Sequence, residues 1–215
     1  MNSALVRWGL WAIPVAGGLT LLPWLPLFLG GNVGPGSDSG TLARAATSPW
    51  SALLGNMYIV GVLCLLFGTL ALYSILAASP GRGAAALGMV LGLVALVMVA
   101  GVWIILTYVD AVLGDLYLAG NQGAGDAFKS MTGGSWSPRF IPLFIVGGLA
   151  GLIAAISLGT ALWRSRRVPK WVAILFAVAF LGSVISAPVI TLVAAILLIV
   201  TGLAMARGMT MSAPV

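Results

Sequence analysis

The sequence predicts an all-α, polytopic transmembrane bundle of six spans with its N-terminus and C-terminus both cytoplasmic, and three observations carry that prediction. Of 215 residues, 61% are hydrophobic and 7% charged, with no His, where a soluble domain is about half apolar and a quarter charged. Ten basic and four acidic side chains cannot clothe a water-facing exterior, so the surrounding solvent is lipid. Apolar runs recur at the length of about 20 residues that a helix needs to cross roughly 30 Å of hydrocarbon. Basic residues gather in the short connections on one side, the pattern that keeps them cytoplasmic.

The first span is read over 8–30. Its run outlasts the usual signal-peptide core of about 7 to 15 residues, so it is expected to stay uncleaved. Pro14, Gly17, Gly18, Pro23 and Pro26 each weaken the helical ladder, predicting a bent or partly unwound helix, either a kink or a broken helix lining a site. The polar stretch 31–50 is expected as an outer loop rich in turn residues. The second span follows over 51–78 and the third over 84–108. Beyond the third, apolar positions 105, 109, 112, 113 and 116 alternate with Asp110 and Asp115, which is amphipathic helical spacing. This helix is therefore predicted to project past the membrane or to break near Gly114 and lie on its surface, with Tyr117 and Trp136 over the outer mouth of the bundle. The rest of the outer loop 109–138 reads as flexible turns. A fourth span covers 139–163. The apolar stretch 168–206 is too long for one crossing, and Ser186-Ala187-Pro188 divides it into spans 168–187 and 188–206.

With the N-terminus inside, Arg7, Arg82, Arg164, Arg166, Arg167, Lys170 and Arg207 fall on the cytoplasmic side, and Arg44, Lys129 and Arg139 outside. Asp38, Asp110, Asp115 and Asp126 also fall outside. Five spans would move only Arg207, so the charge pattern favours six without demanding it.

Whole chemistries are excluded by composition. Without His or Glu, and with Cys64 as the lone cysteine, there is no histidine-ligated metal, no Ser-His-Asp triad and no disulfide. No cofactor or metal site is expected. The net charge of +6 is spread over membrane boundaries, so nucleic acid is not expected as a partner. No ionisable group falls near the centre of a span, which weighs against an ion-coupled pump. The candidate ligand-binding group is Asn56, Tyr58, Tyr108 and Asp110 at the outer end of the second and third spans; the plainer reading of Asp110 is a water-exposed carboxylate at a helix end. Small residues at a step of four mark helix-packing faces: Gly88 and Gly92 on the third span, and Gly147, Gly151, Ala155 and Gly159 on the fourth. Packing within the bundle is the first reading of these faces, and contact with a second copy or another membrane protein the alternative. Arg164, Arg166, Arg167 and Lys170, flanked by Trp163 and Trp171, are candidate contacts for anionic lipid. A weak echo pairs Ser48-Pro49 with Ser137-Pro138 and Gly68-Thr69 with Gly159-Thr160, as a parallel duplication would.

The turn Leu162-Trp163-Arg164-Ser165-Arg166-Arg167-Val168-Pro169-Lys170-Trp171, set within a small Ala-, Gly- and Val-rich chain, resembles uncharacterised six-helix integral membrane proteins of bacteria, of the actinobacterial type. That resemblance implies a multi-pass location in a bacterial cytoplasmic membrane and transfers no catalytic residue. The functional expectation is a noncatalytic protein with a lipid-binding, assembly or accessory role. The alternatives are a small-molecule channel or transporter with its pathway near Asn56, Tyr58 and Asp110, and a membrane enzyme acting on a lipid-like substrate.

Overall fold

The structure, a computed structural model, describes residues 3–24, 39–132, 141–185 and 188–211. Helix α1 (Ser3–Leu21) ends in a short 3-10 turn, Leu22–Trp24. Then come α2 (Ser39–Ala46), α3 (Pro49–Leu76) and α4 (Arg82–Ile104). A π-helical turn, Ile105–Val109, joins α4 to α5 (Asp110–Leu118), and α6 (Gln122–Thr132) follows. The chain continues with α7 (Ile141–Ser165), α8 (Lys170–Ile185) and α9 (Pro188–Met211). The described residues contain no strand.

Among the described residues, four helices are long and apolar enough to cross a membrane: Pro49–Leu76, the continuous Arg82–Leu118, Ile145–Ser165 and Val189–Gly208. The 16 residues of α8 reach only about 24 Å at 1.5 Å per residue, and α1 is 19 residues long. Local chemistry sets several boundaries. Ser48 caps α3 by accepting from the Trp50 N–H, and Pro49 takes the first helical position, where its missing N–H costs nothing. Pro188 starts α9 in the same way.

The long helices pack antiparallel and in chain order, α1 on α3, α3 on α4, α4 on α7, α7 on α8 and α8 on α9, and α9 closes on α1. Glycines mark the register of each contact, because the missing Cβ lets backbones approach. A Cβ on Gly17 would stand 2.6 Å from the Ala195 carbonyl, and one on Gly202 the same distance from the Pro14 ring. Gly88 meets Leu158, Gly92 meets Phe180, and Gly151 meets Val184. Gly159 meets Ala177, and Gly147 faces Met98 at 3.5 Å. Ala155 is buried in the common core. The small residues singled out in the sequence thus face helices of the same chain. One buried cluster draws side chains from all of the long helices, among them Ile13, Tyr58, Leu96, Leu158, Phe176, Phe180 and Leu198.

Antiparallel packing brings Arg7, Arg82, Arg164, Arg166, Arg167, Lys170 and Arg207 to one end of the bundle, the basic end. At the other end α2, α5 and α6 pack on one another as a small cap.

The first helix is α-helical through Pro14, Gly17 and Gly18 as far as Leu21 and gives way to the 3-10 turn at Pro23, while Pro26 lies outside the described residues; Pro14 is accommodated because Gly202 leaves room for its ring. The helix over Asp110–Leu118 follows the amphipathic spacing read there, whereas the stretches 31–50 and 119–138, expected as flexible outer loops, carry α2 and α6, since the side of each helix turned to its neighbours is apolar or small despite its Gly and Ser content. Of the two courses expected past the third span, the helix takes the continuous one and does not break at Gly114. The helix runs on through it, and the residue is buried against Ala43 and Thr47 of the α2 region. The expected turn at Ser186-Ala187, Trp136, and the Ser137-Pro138 half of the echo lie outside the described residues. Gly68 faces Ile13 of the preceding helix α1 whereas Gly159 faces Ala177 of the following helix α8, so the two Gly-Thr pairs occupy unlike positions.

Candidate functional site

At the cap end, α3 and the π-helical turn lie side by side, and the close fit is set at Gly55, where an added Cβ would run into the Thr107 side chain. The four sequence-predicted residues separate here into three environments. Asn56 donates from Nδ2 to its own helix at the Ala52 carbonyl, 2.8 Å away, and accepts on Oδ1 from the Tyr108 hydroxyl at 2.6 Å. Tyr108 is half-exposed, so this bridge sits at the rim. Tyr58, only 1% exposed, turns the other way and stacks on Trp103 with ring centroids 4.1 Å apart. That pair belongs to the core, where aromatic stacking adds to area burial.

Asp110 is the third environment. It begins α5 straight after the π-helical turn and is 8% exposed, not the water-facing helix end expected from its sequence position. Its Oδ1 is fully enclosed, and no described residue donates a hydrogen bond to it. The cause of the burial is traceable. Thr107, Asp110 and Gly114 are three and four residues apart and share one helix face; Thr107 presses on Gly55 and Gly114 presses on Ala43, so the α2–α3 corner covers Asp110 between them. Short π-helical turns of this kind cluster at functional positions. Sequence reasoning left Trp103 out of the candidate group, although the 3.6-residue period of the helix places it on the face of Asp110. It also missed Thr191, a buried residue near the start of α9 whose Oγ1 has no hydrogen-bond partner among the described residues. Among the described residues no group of three or more metal-ligating side chains forms.

The basic end holds the second group. Ser165 terminates α7 by donating to the Leu162 carbonyl and accepting from the Arg167 N–H. Arg166 takes a left-handed conformation with φ of 53°, which folds the chain tightly back into α8. Arg164, Arg166, Arg167 and Lys170 are all exposed, and Lys170 Nζ lies 5.0 Å from the centre of the Trp163 ring, a cation–π contact. A groove of about 400 Å³ leads away from this turn between α7 and α8, walled by Ile156, Thr160 and Val178 and bounded by Trp163 and Arg164. A larger groove of about 660 Å³ lies between α1 and α3, walled by Trp8, Phe67 and Tyr73, and no charged side chain lines it. Between α4 and α7 a cavity of about 20 Å³ is bounded by Met98, Val99 and Gly147, room for about one water and no more.

No family model, no curated protein and no solved structure matches the chain.

Proposed function

We propose that this chain is a noncatalytic, six-crossing protein of a bacterial cytoplasmic membrane, with both termini cytoplasmic and a lipid-binding, assembly or accessory role. The observation that carries this reading is the ring of long helices closed by α9 on α1, whose interior is filled by one continuous cluster of apolar side chains from every long helix. Solvent-accessible polar chemistry is left to the two ends. The outward faces remain apolar, with Trp8, Phe67, Val97, Ile156 and Val189 exposed, the surface a bilayer covers. The six-crossing reading counts α1 and α8 as spans because both pack within the ring beside the four longer helices; snorkelling basic side chains and local thinning accommodate short helices at modest cost. The clustering of seven cations at one end orients that end to the cytoplasm.

Purification from native membranes followed by mass spectrometry tests the role, and recovery with neither retained lipid nor a protein partner rejects it. Cysteine labelling in a Cys64→Ser background tests the topology. Reagent access to residues 3 and 211 from opposite sides overturns it.

A second reading rests on the buried, unpartnered Oδ1 of Asp110 beside the π-helical turn. Here the cap end is the mouth of a small-molecule pathway. Reconstituted flux that survives Asp110→Asn and Asn56→Ala unchanged rejects that pathway.

A further inference from the structure

The geometry points to one anionic phospholipid seated in the groove between α7 and α8, with an acyl chain against the apolar wall and its headgroup at the basic turn. This inference rests on the lipid-embedded reading above. The groove is fixed in place by backbone contact: an added Cβ on Gly159 would stand 2.9 Å from Ala177 Cβ, so the two helices already meet at its floor and cannot close further. Its wall offers little to a polar guest. Thr160 spends its hydroxyl proton on the Ile156 carbonyl at 2.7 Å, and Ile174 and Val178 are exposed aliphatic surface.

The mouth has the opposite character. Arg164 lines it, and Arg166, Arg167 and Lys170 follow within six residues. Among the described residues none of these four cations makes an ion pair, and the described acids Asp110, Asp115 and Asp126 belong to the cap end. A free inorganic anion would answer the charges and leave the apolar groove unfilled. A zwitterionic lipid would fill the groove and bring its own ammonium group to the cations. A phospholipid with net negative charge satisfies both demands at once, through headgroup attraction of about 1 kcal/mol per cation near the surface and burial of chain methylenes. The larger α1–α3 groove supplies a built-in contrast, since it has the apolar wall without a lining cation.

The test uses the full chain in detergent micelles offered equal dioleoylphosphatidylglycerol and dioleoylphosphatidylcholine, with bound lipid counted by native mass spectrometry. Wild type is expected to retain one phosphatidylglycerol in preference. Arg164→Gln is expected to lower that preference about fivefold, the factor equivalent to about 1 kcal/mol. Val178→Trp fills the groove without altering charge and is expected to abolish retention, while Leu70→Trp in the α1–α3 groove leaves it unchanged. Millimolar inorganic phosphate is expected to leave the lipid bound; displacement by phosphate overturns the assignment in favour of a free anion. A phosphatidylglycerol carrying a photoreactive group on one chain gives a readout on wild type that does not depend on any variant folding. Labelling concentrated at Ile156, Ile174 and Val178 supports the site, and labelling spread evenly around the belt overturns it. If wild type retains neither lipid nor protein partner, the parent reading fails. If it retains phosphatidylglycerol but Val178→Trp retains as much, only this site fails.

Discussion

The two ends of the bundle hold their charges in opposite ways. At the cap end one carboxylate, Asp110, is covered by the α2–α3 corner and has an oxygen with no donor. At the basic end four cations stand exposed within the seven residues 164–170 that end α7 and begin α8. The contrast shows that charge count says little about energetic consequence. An exposed cation keeps its hydration and costs the fold almost nothing, whereas a single enclosed carboxylate oxygen has surrendered water without a replacement. The cap end is therefore where the fold carries a local cost, and the basic end is where its charge stands open to the surroundings.

Substitutions at each end sharpen or break that contrast. The largest effect is expected from Gly114→Leu, whose new side chain would push against Thr47 at 3.0 Å and the Ala43 carbonyl at 3.1 Å. Overpacking of this kind costs about 3 kcal/mol, read as faster hydrogen exchange in residues 39–46 while the ring helices keep their protection. Next, Asp110→Ala is expected to raise stability by about 2 kcal/mol in detergent unfolding, because it removes an enclosed polar atom that lacks a partner. A loss of stability there would mean that the carboxylate is usefully paired, and the contrast between the ends would collapse. Tyr108→Phe removes the 2.6 Å bond to Asn56 and is expected to cost about 1 kcal/mol. At the basic end, Arg166→Gly relieves a left-handed backbone and is expected to gain about 0.5 kcal/mol, most of the relief being offset by glycine's greater freedom when unfolded. The smallest effect belongs to Arg164→Gln, within about 0.5 kcal/mol of wild type in folding stability, although its lipid preference falls.

Much of this fold was legible in the sequence. Apolar runs located α3, α7 and α9 to within a few residues, since nothing but a helix satisfies its own backbone in lipid. The step of four at Gly147, Gly151, Ala155 and Gly159 marked a packing face because a missing Cβ has the same consequence in any helix pair. The cap was not legible. Residues 39–46 and 122–132 carry glycines and serines that read as turns, and their helices are supported by contacts with α5 that no local window contains. Asp110 was misread for the same reason. Helical periodicity shows which residues share its face, but not that the α2–α3 corner lies on top of them. The groove between α7 and α8 was half legible, its cations plain and its apolar wall a product of how two helices splay.

Closure of the ring by α9 on α1 has a consequence for synthesis. The Gly17–Ala195 and Pro14–Gly202 contacts join segments more than 170 residues apart in sequence, so α1 keeps one flank uncovered until α9 has been made. The circle is sealed by α9. A chain cut before residue 188 would leave an open arc, with Gly17 facing no partner helix.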